Sequence, residues 1–174
     1  MKRYVISVLV ENHSGVLSRV SGLFSRRGYN IDSLTVGVTE NPEFSRMTIV
    51  VRGDEYILEQ IEKQLAKLVE VVSIKHCDPA ATVVRELALI KVSAAGTARV
   101  GIIETANIFR ARIVDVAVDS LIVEATGSED KIASLIGLLE PFGIKELVRT
   151  GLTAMERGST VLARDELPGK DNET

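Results

Sequence analysis

Glu11-Asn12-His13-Ser14-Gly15-Val16-Leu17 is the stretch where an apolar strand stops and an amphipathic helix starts. Upstream of it, Tyr4-Val5-Ile6-Ser7-Val8-Leu9-Val10 is an apolar run with β-branched residues, the pattern of a strand covered on both faces. Downstream, Val16, Leu17, Val20, Leu23 and Phe24 fall on one stripe of a helix. Between the two lie an amide, a hydroxyl and a glycine. That set can bring backbone N–H groups close to a small ligand at a helix N-terminus. A carboxylate placed there gains about 0.3–1 kcal/mol from the partial positive charge of the helix end. The same spacing also fits a plain boundary, with Ser14 capping the helix and Asn12 closing a turn. Spacing leaves the two readings even.

Working outward, the helix is predicted over 15–27 and stops at Gly28. A strand over 29–39 follows, with Leu34, Val36 and Val38 alternating with Thr35, Gly37 and Thr39. Glu40-Asn41-Pro42-Glu43 is a turn, and a third strand over 45–52 places Met47, Ile49 and Val51 on one face. Asp54 is a suitable N-cap for a helix whose Ile57, Ile61, Leu65 and Leu68 face inward. A fourth strand over 70–76 ends at Asp78-Pro79. The order β-α-β-β-α-β within residues 1–78 is the α+β, ferredoxin-like arrangement, an antiparallel sheet with both helices on one face. The other face is open unless something packs on it.

After a linker at 79–84 the pattern recurs over 85–158. Strands are predicted at 85–92, 112–118, 121–125 and 144–149, with helices over 97–110 and from Ser128 to Pro141 and a short appendage at 150–158. The tail at 159–174, polar from Arg164, has a composition expected to stay disordered. The second copy differs at the informative place. Its junction reads Ser93-Ala94-Ala95-Gly96-Thr97, with a glycine but no amide side chain, so the first junction is the better ligand candidate.

Composition narrows the functions available. With 174 residues, 45% apolar and 26% charged, the chain can bury a sizeable core. The net charge of −3, with signs interspersed, gives no footprint for nucleic acid or an anionic membrane. Base-stacking by a ferredoxin-like sheet needs aromatics on the central strands, and Tyr4 is the only one there. A single cysteine, Cys77, forms no intrachain disulfide and offers no CxxC pair for a metal. His13 and His76 lack the nucleophile and orienting group of a catalytic set, and read as surface or strand-end residues. Arg26 and Arg27 complement the helix dipole. Taken alone, Asn30 reads first as a turn residue after Gly28 and second as a polar ligand contact. No stretch is long enough to span a bilayer, and no signal-peptide core follows Met1-Lys2-Arg3, so a cytoplasmic protein is expected.

The run Ser7-Val8-Leu9-Val10-Glu11-Asn12-His13-Ser14-Gly15-Val16-Leu17-Ser18-Arg19-Val20, followed by Leu23-Phe24-Ser25-Arg26-Arg27-Gly28-Tyr29-Asn30-Ile31-Asp32-Ser33-Leu34-Thr35-Val36-Gly37, resembles the regulatory small subunit of acetohydroxyacid synthase (acetolactate synthase). Residues 45–49, 61–69, 85–92, 109–116 and 149–151 extend that resemblance over nearly the whole chain. It implies an N-terminal ACT domain and a C-terminal ACT-like domain, the latter needed to activate the catalytic (large) subunit. It also implies a homodimer through the ACT domains, with valine, leucine or isoleucine bound at the interface. The effector shell would be Asn12, His13, Ser14, Gly15, Val16 and Leu17 of one chain with Asn30 and Ile31 of its mate, and Ser18 just behind. The catalytic subunit of that family carries thiamine diphosphate, magnesium and FAD, so no cofactor is expected here. His13 is where the chain departs from the family's usual residues.

The resulting expectation is a non-catalytic regulatory subunit that makes its enzyme sensitive to feedback by branched-chain amino acids. The alternative is a stand-alone amino-acid-binding ACT module controlling another enzyme or transcription. No helix-turn-helix follows the domains, and no residue set forms a catalytic constellation.

Overall fold

The structure, a computed structural model, describes residues 2–162 and divides them into two compact units. The first contains β1 (Lys2–Glu11), α1 (Val16–Arg27), β2 (Ile31–Val38), β3 (Phe44–Gly53), α2 (Glu55–Leu65) and β4 (Val71–His76). Its sheet runs β2-β3-β1-β4 and is antiparallel throughout. Ile6, Val8 and Val10 of β1 and Met47, Ile49 and Val51 of β3 alternate onto the helix side. There they meet Val16, Val20 and Phe24 of α1 and Leu58, Ile61 and Leu65 of α2. Both helices end as their sequences direct. Asp54 accepts from the Ile57 amide at 2.8 Å, and Gly28, at φ 70°, closes α1 with its amide and that of Tyr29 bonded to Ser25 and Phe24.

The opposite sheet face carries Ser7, Thr48 and Cys77, all buried. The segment from Leu152 to Glu156, which includes β9 (Thr153–Glu156), lies over it. The Leu152 amide donates to Ser33 Oγ at 3.0 Å. Arg46 Nη2 donates to Ser7 Oγ at 3.1 Å and to the Ala154 carbonyl at 2.9 Å. Lys75 pairs with Glu156 at 2.8 Å. The segment expected as an appendage of the second domain therefore groups with the first, because these bonds hold it there.

The second unit, Val84–Gly151, repeats the topology. It is built from β5 (Thr82–Ser93), α3 (Ala98–Ile108), β6 (Arg112–Val116), β7 (Ser120–Gly127), α4 (Glu129–Leu139) and β8 (Ile144–Arg149), in sheet order β6-β7-β5-β8. Ile90, Val92 and Val123 pack against Ile102 of α3 and against Ile132, Leu135 and Leu139 of α4. Ser128 caps α4 by accepting from the Lys131 amide. Buried Glu86 is held by a two-pronged contact from Arg149. The expected linker at 79–84 is shorter than the sequence reading placed it. Asp78 closes a turn by accepting from the Ala80 and Ala81 amides, and β5 is already under way at Thr82. Of the expected tail at 159–174, residues 163–174 lie outside the described part of the chain.

Candidate functional site

The β1–α1 loop is built by two departures from ordinary strand and helix ends. Gly15 occupies the N-cap position of α1 at φ 90°, in the left-handed region, and no side chain caps the helix. Ser14 is therefore not the cap that spacing allowed. With Gly15 turning the chain, the amides of Val16, Leu17 and Ser18 open the helix without a side-chain acceptor, while the first helical bond runs from the Arg19 amide to the Gly15 carbonyl at 3.0 Å. An uncapped helix N-terminus with a glycine before it is a place where an anion's oxygens find donors and favourable partial charge.

Asn12 is bonded to a turn, one of the two roles its spacing allowed, and the turn is the distant one between β2 and β3. Its Nδ2 donates to the Pro42 carbonyl at 2.8 Å, its Oδ1 accepts from Ser45 Oγ at 3.0 Å, and its backbone amide donates to the Glu43 carbonyl at 2.8 Å. Both ends of the carboxamide are engaged with the β2–β3 turn. These bonds fix where the loop starts. Pro42, Glu43 and Ser45 are thus part of the loop's support. Their contribution could not be foreseen because residues 40–43 read as an ordinary turn.

The remaining loop residues divide by exposure. Val16 belongs to the core, so only its amide is available, whereas Leu17 is 46% exposed and offers an apolar side chain at the helix start. His13 and Ser14 are exposed. His13 Nε2 lies 3.0 Å from Glu11 Oε2 and its Nδ1 lies 3.0 Å from the Ser14 carbonyl. The Ser14 carbonyl, and after it Glu11, raise the imidazole above its ordinary value.

Asn30 and Ile31 lie elsewhere. Ile31 pairs with Val51, which pairs with Tyr4 near the start of β1, whereas the loop follows Glu11 at the far end of that strand. At about 3.3 Å per residue the two groups stand roughly 25 Å apart along one sheet. Within one chain the eight candidate residues do not converge. Asn30 Nδ2 donates to Asp32 Oδ1 at 3.1 Å, which leaves its Oδ1 as an acceptor. Asp32 in turn receives Arg52 Nε at 2.5 Å, and that guanidinium, with Asn30 assisting, lowers its carboxyl below the usual range. Ile31 is half-buried against the core.

Among the described residues no group of His, Cys, Asp and Glu could hold a metal ion, and no helix is long and apolar enough to cross a membrane.

The chain matches two family descriptions in succession: "AHAS small subunit-like ACT domain" over residues 6–73 and "Small subunit of acetolactate synthase" over residues 85–158. It is 55% identical over 160 residues to a probable acetolactate synthase small subunit of Methanothermobacter thermautotrophicus, covering 91% of this chain and 95% of that one. It is 53% identical over 155 residues to the acetolactate synthase small subunit of Mycolicibacterium smegmatis, covering 89% and 91%. The crystal structure of the acetolactate synthase small subunit from Thermotoga maritima superposes with a TM-score of 0.87 at 43% identity, over 92% of this chain and all of that one.

Proposed function

The chain belongs to the acetolactate synthase small-subunit family, and from that premise we propose that it is the non-catalytic regulatory partner of a catalytic subunit and confers feedback inhibition by a branched-chain amino acid, valine first. The observation that carries the effector assignment is the uncapped N-terminus of α1 behind Gly15, which suits the α-carboxylate of an amino acid. Asn30, with its Nδ2 already engaged by Asp32, suits the other pole, accepting from the α-ammonium. Leu17 and Ile31 supply apolar surface for a branched side chain.

A homodimer brings these poles together. β2 is an edge strand, and two copies paired antiparallel along it set the start of one β2 against the end of the other. The end of β2, at Val38, is level with Ser45 and hence with Val10, next to the β1–α1 loop. The mate's Asn30 and Ile31 would arrive at that level. Val36 and Val38, 42% and 60% exposed, favour covering this edge.

An effector bound across such an interface stabilises the dimer arrangement for which it has the higher affinity. Feedback inhibition follows if that arrangement is the one that activates the catalytic subunit poorly. The test is to assay the thiamine-dependent catalytic subunit alone, with this chain, and with this chain plus valine. Activation by the chain and its reversal by valine are expected. Absence of activation rules out the regulatory-subunit reading. Activation that no branched-chain amino acid reverses rules out the effector assignment.

A further inference from the structure

His13 places both ring nitrogens against acceptors. Nδ1 faces the Ser14 carbonyl and Nε2 faces the Glu11 carboxylate, each at 3.0 Å. A carbonyl and an ionised carboxylate only accept, and a neutral imidazole carries one N–H and one bare lone pair. The neutral ring satisfies one contact and turns its lone pair on the other acceptor. Only the imidazolium donates to both.

We propose that His13 is a proton-operated positioning residue of the β1–α1 loop, so that an amino-acid effector binds more tightly on the acid side of neutrality than on the alkaline side. This inference rests on the reading of the loop as an effector site.

Two physical links run from the proton to the loop. The first is orientation. In a planar trans peptide the carbonyl and the following N–H point in opposite directions. By holding the Ser14 carbonyl, His13 turns the Gly15 amide away from itself and fixes one donor of the anion-binding loop. Loss of the Nδ1–H or Nε2–H releases one of the two tethers, and Gly15, without a Cβ, resists rotation least. The second link is charge, since an imidazolium beside the helix start adds to the field that favours a carboxylate. The charged groups around His13 support its protonated form. Glu11 at the end of β1 contacts it directly, and Glu70, just before β4, raises its value further at longer range. Arg19 of α1 pairs with Glu70 at 2.5 Å and offsets that acid, so Glu11 is the dominant partner. Glu43 lies on the adjoining turn.

The experiment uses the full chain and valine, which stays a zwitterion over the range examined. Calorimetry at about pH 6 and about pH 8.5 brackets the imidazole titration. Expected is an affinity about two- to fivefold weaker at the higher pH, the size of an exposed charge interaction. Proton uptake on binding at the higher pH should accompany it, as reciprocity requires. His13→Gln should bind equally at both pH values, and His13→Lys, with a fixed charge, should keep the acid-side affinity throughout. The chain has only two histidines, so His76 serves as the internal reference in an NMR titration. His13 should titrate above the ordinary value and His76, lowered by burial and by Lys2, below it. Equal valine affinity at both pH values in the parent chain overturns this inference and leaves the effector site intact. No binding of valine, leucine or isoleucine at any pH overturns the effector site itself, and the inference with it.

Discussion

The side-chain amide of Asn12 donates to the carbonyl of Pro42 at 2.8 Å, and this bond locks the end of β1 to the turn between β2 and β3. Because Ser45 simultaneously donates to the Asn12 carbonyl oxygen, the carboxamide is held at both ends. The uncapped start of α1 is therefore displayed from a fixed origin.

Asn12→Asp tests this support. The substitution replaces a donor facing the Pro42 carbonyl with a carboxylate that only accepts, while keeping size and shape. Loss of a hydrogen bond with the partner left in place costs about 1–3 kcal/mol when the site is buried, and the lower end applies at this exposed loop. A lower thermal midpoint with a weakened valine response is expected. Unchanged melting together with unchanged valine binding would show that the clamp does not govern the loop.

Gly15 offers a prediction that separates strain from crowding. A Cβ added there meets nothing within 4 Å, but the residue sits at φ 90°. Gly15→Ala should cost about 1–2 kcal/mol through backbone conformation alone, and Gly15→Asn less, since asparagine tolerates the left-handed region. Gly15→Asp adds repulsion of an effector carboxylate at the helix start. Chemical denaturation ranks the three for stability, and calorimetry should show the aspartate variant losing valine binding beyond what its stability explains. If it bound valine as tightly as the parent, the carboxylate does not sit at this helix end.

Much of this organisation can be read from residue patterns, and the exceptions have physical causes. Period-two alternation in 45–52 and the helical stripe of Val16, Val20, Leu23 and Phe24 locate β3 and α1 because burial is set by those periods. Asp54 and Ser128 cap the helices their positions predict, since capping is local. Ser14 fails to cap because the next residue, Gly15, takes the left-handed turn and with it the N-cap place. The partners of Asn12 lie about 30 residues away on another turn, and no local pattern encodes that approach. Thr153–Glu156 is too short to show a period, and its assignment to the first unit depends on Ser33, Arg46 and Lys75, which only the tertiary structure brings to it.

The Asp32–Arg52 pair makes a prediction about acid stability. Arg52 lowers the folded-state value of the Asp32 carboxyl below its ordinary 3.8. The stability this contributes is complete above the unfolded-chain value and disappears as pH falls through the lower, folded one. Both groups are solvent-accessible to different degrees, so the effect is that of a screened pair, about 0.2–1 kcal/mol. Asp32→Asn should flatten the loss of stability below about pH 4 in thermal melts, with little change near neutrality beyond that amount. An acid limb identical to the parent's would show that the pair does not couple to folding. Asp32→Asn also removes the acceptor that holds Asn30 Nδ2, so a weaker valine response near neutrality is expected alongside it.

In the proposed dimer the effector site is shared between two chains, with the helix start of one opposite Asn30 of the other. Mixed dimers test it directly. Gly15→Asp and Asn30→Ala each damage one half of the site, so neither homodimer should bind valine with the parent's affinity. A dimer formed from one chain of each kind contains one site with both halves intact and one with both halves damaged. Calorimetry on the purified mixed dimer should recover parent-like affinity at one valine per dimer. Recovery of no binding, with both homodimers folded and the mixed species formed, would contradict a site shared across the interface.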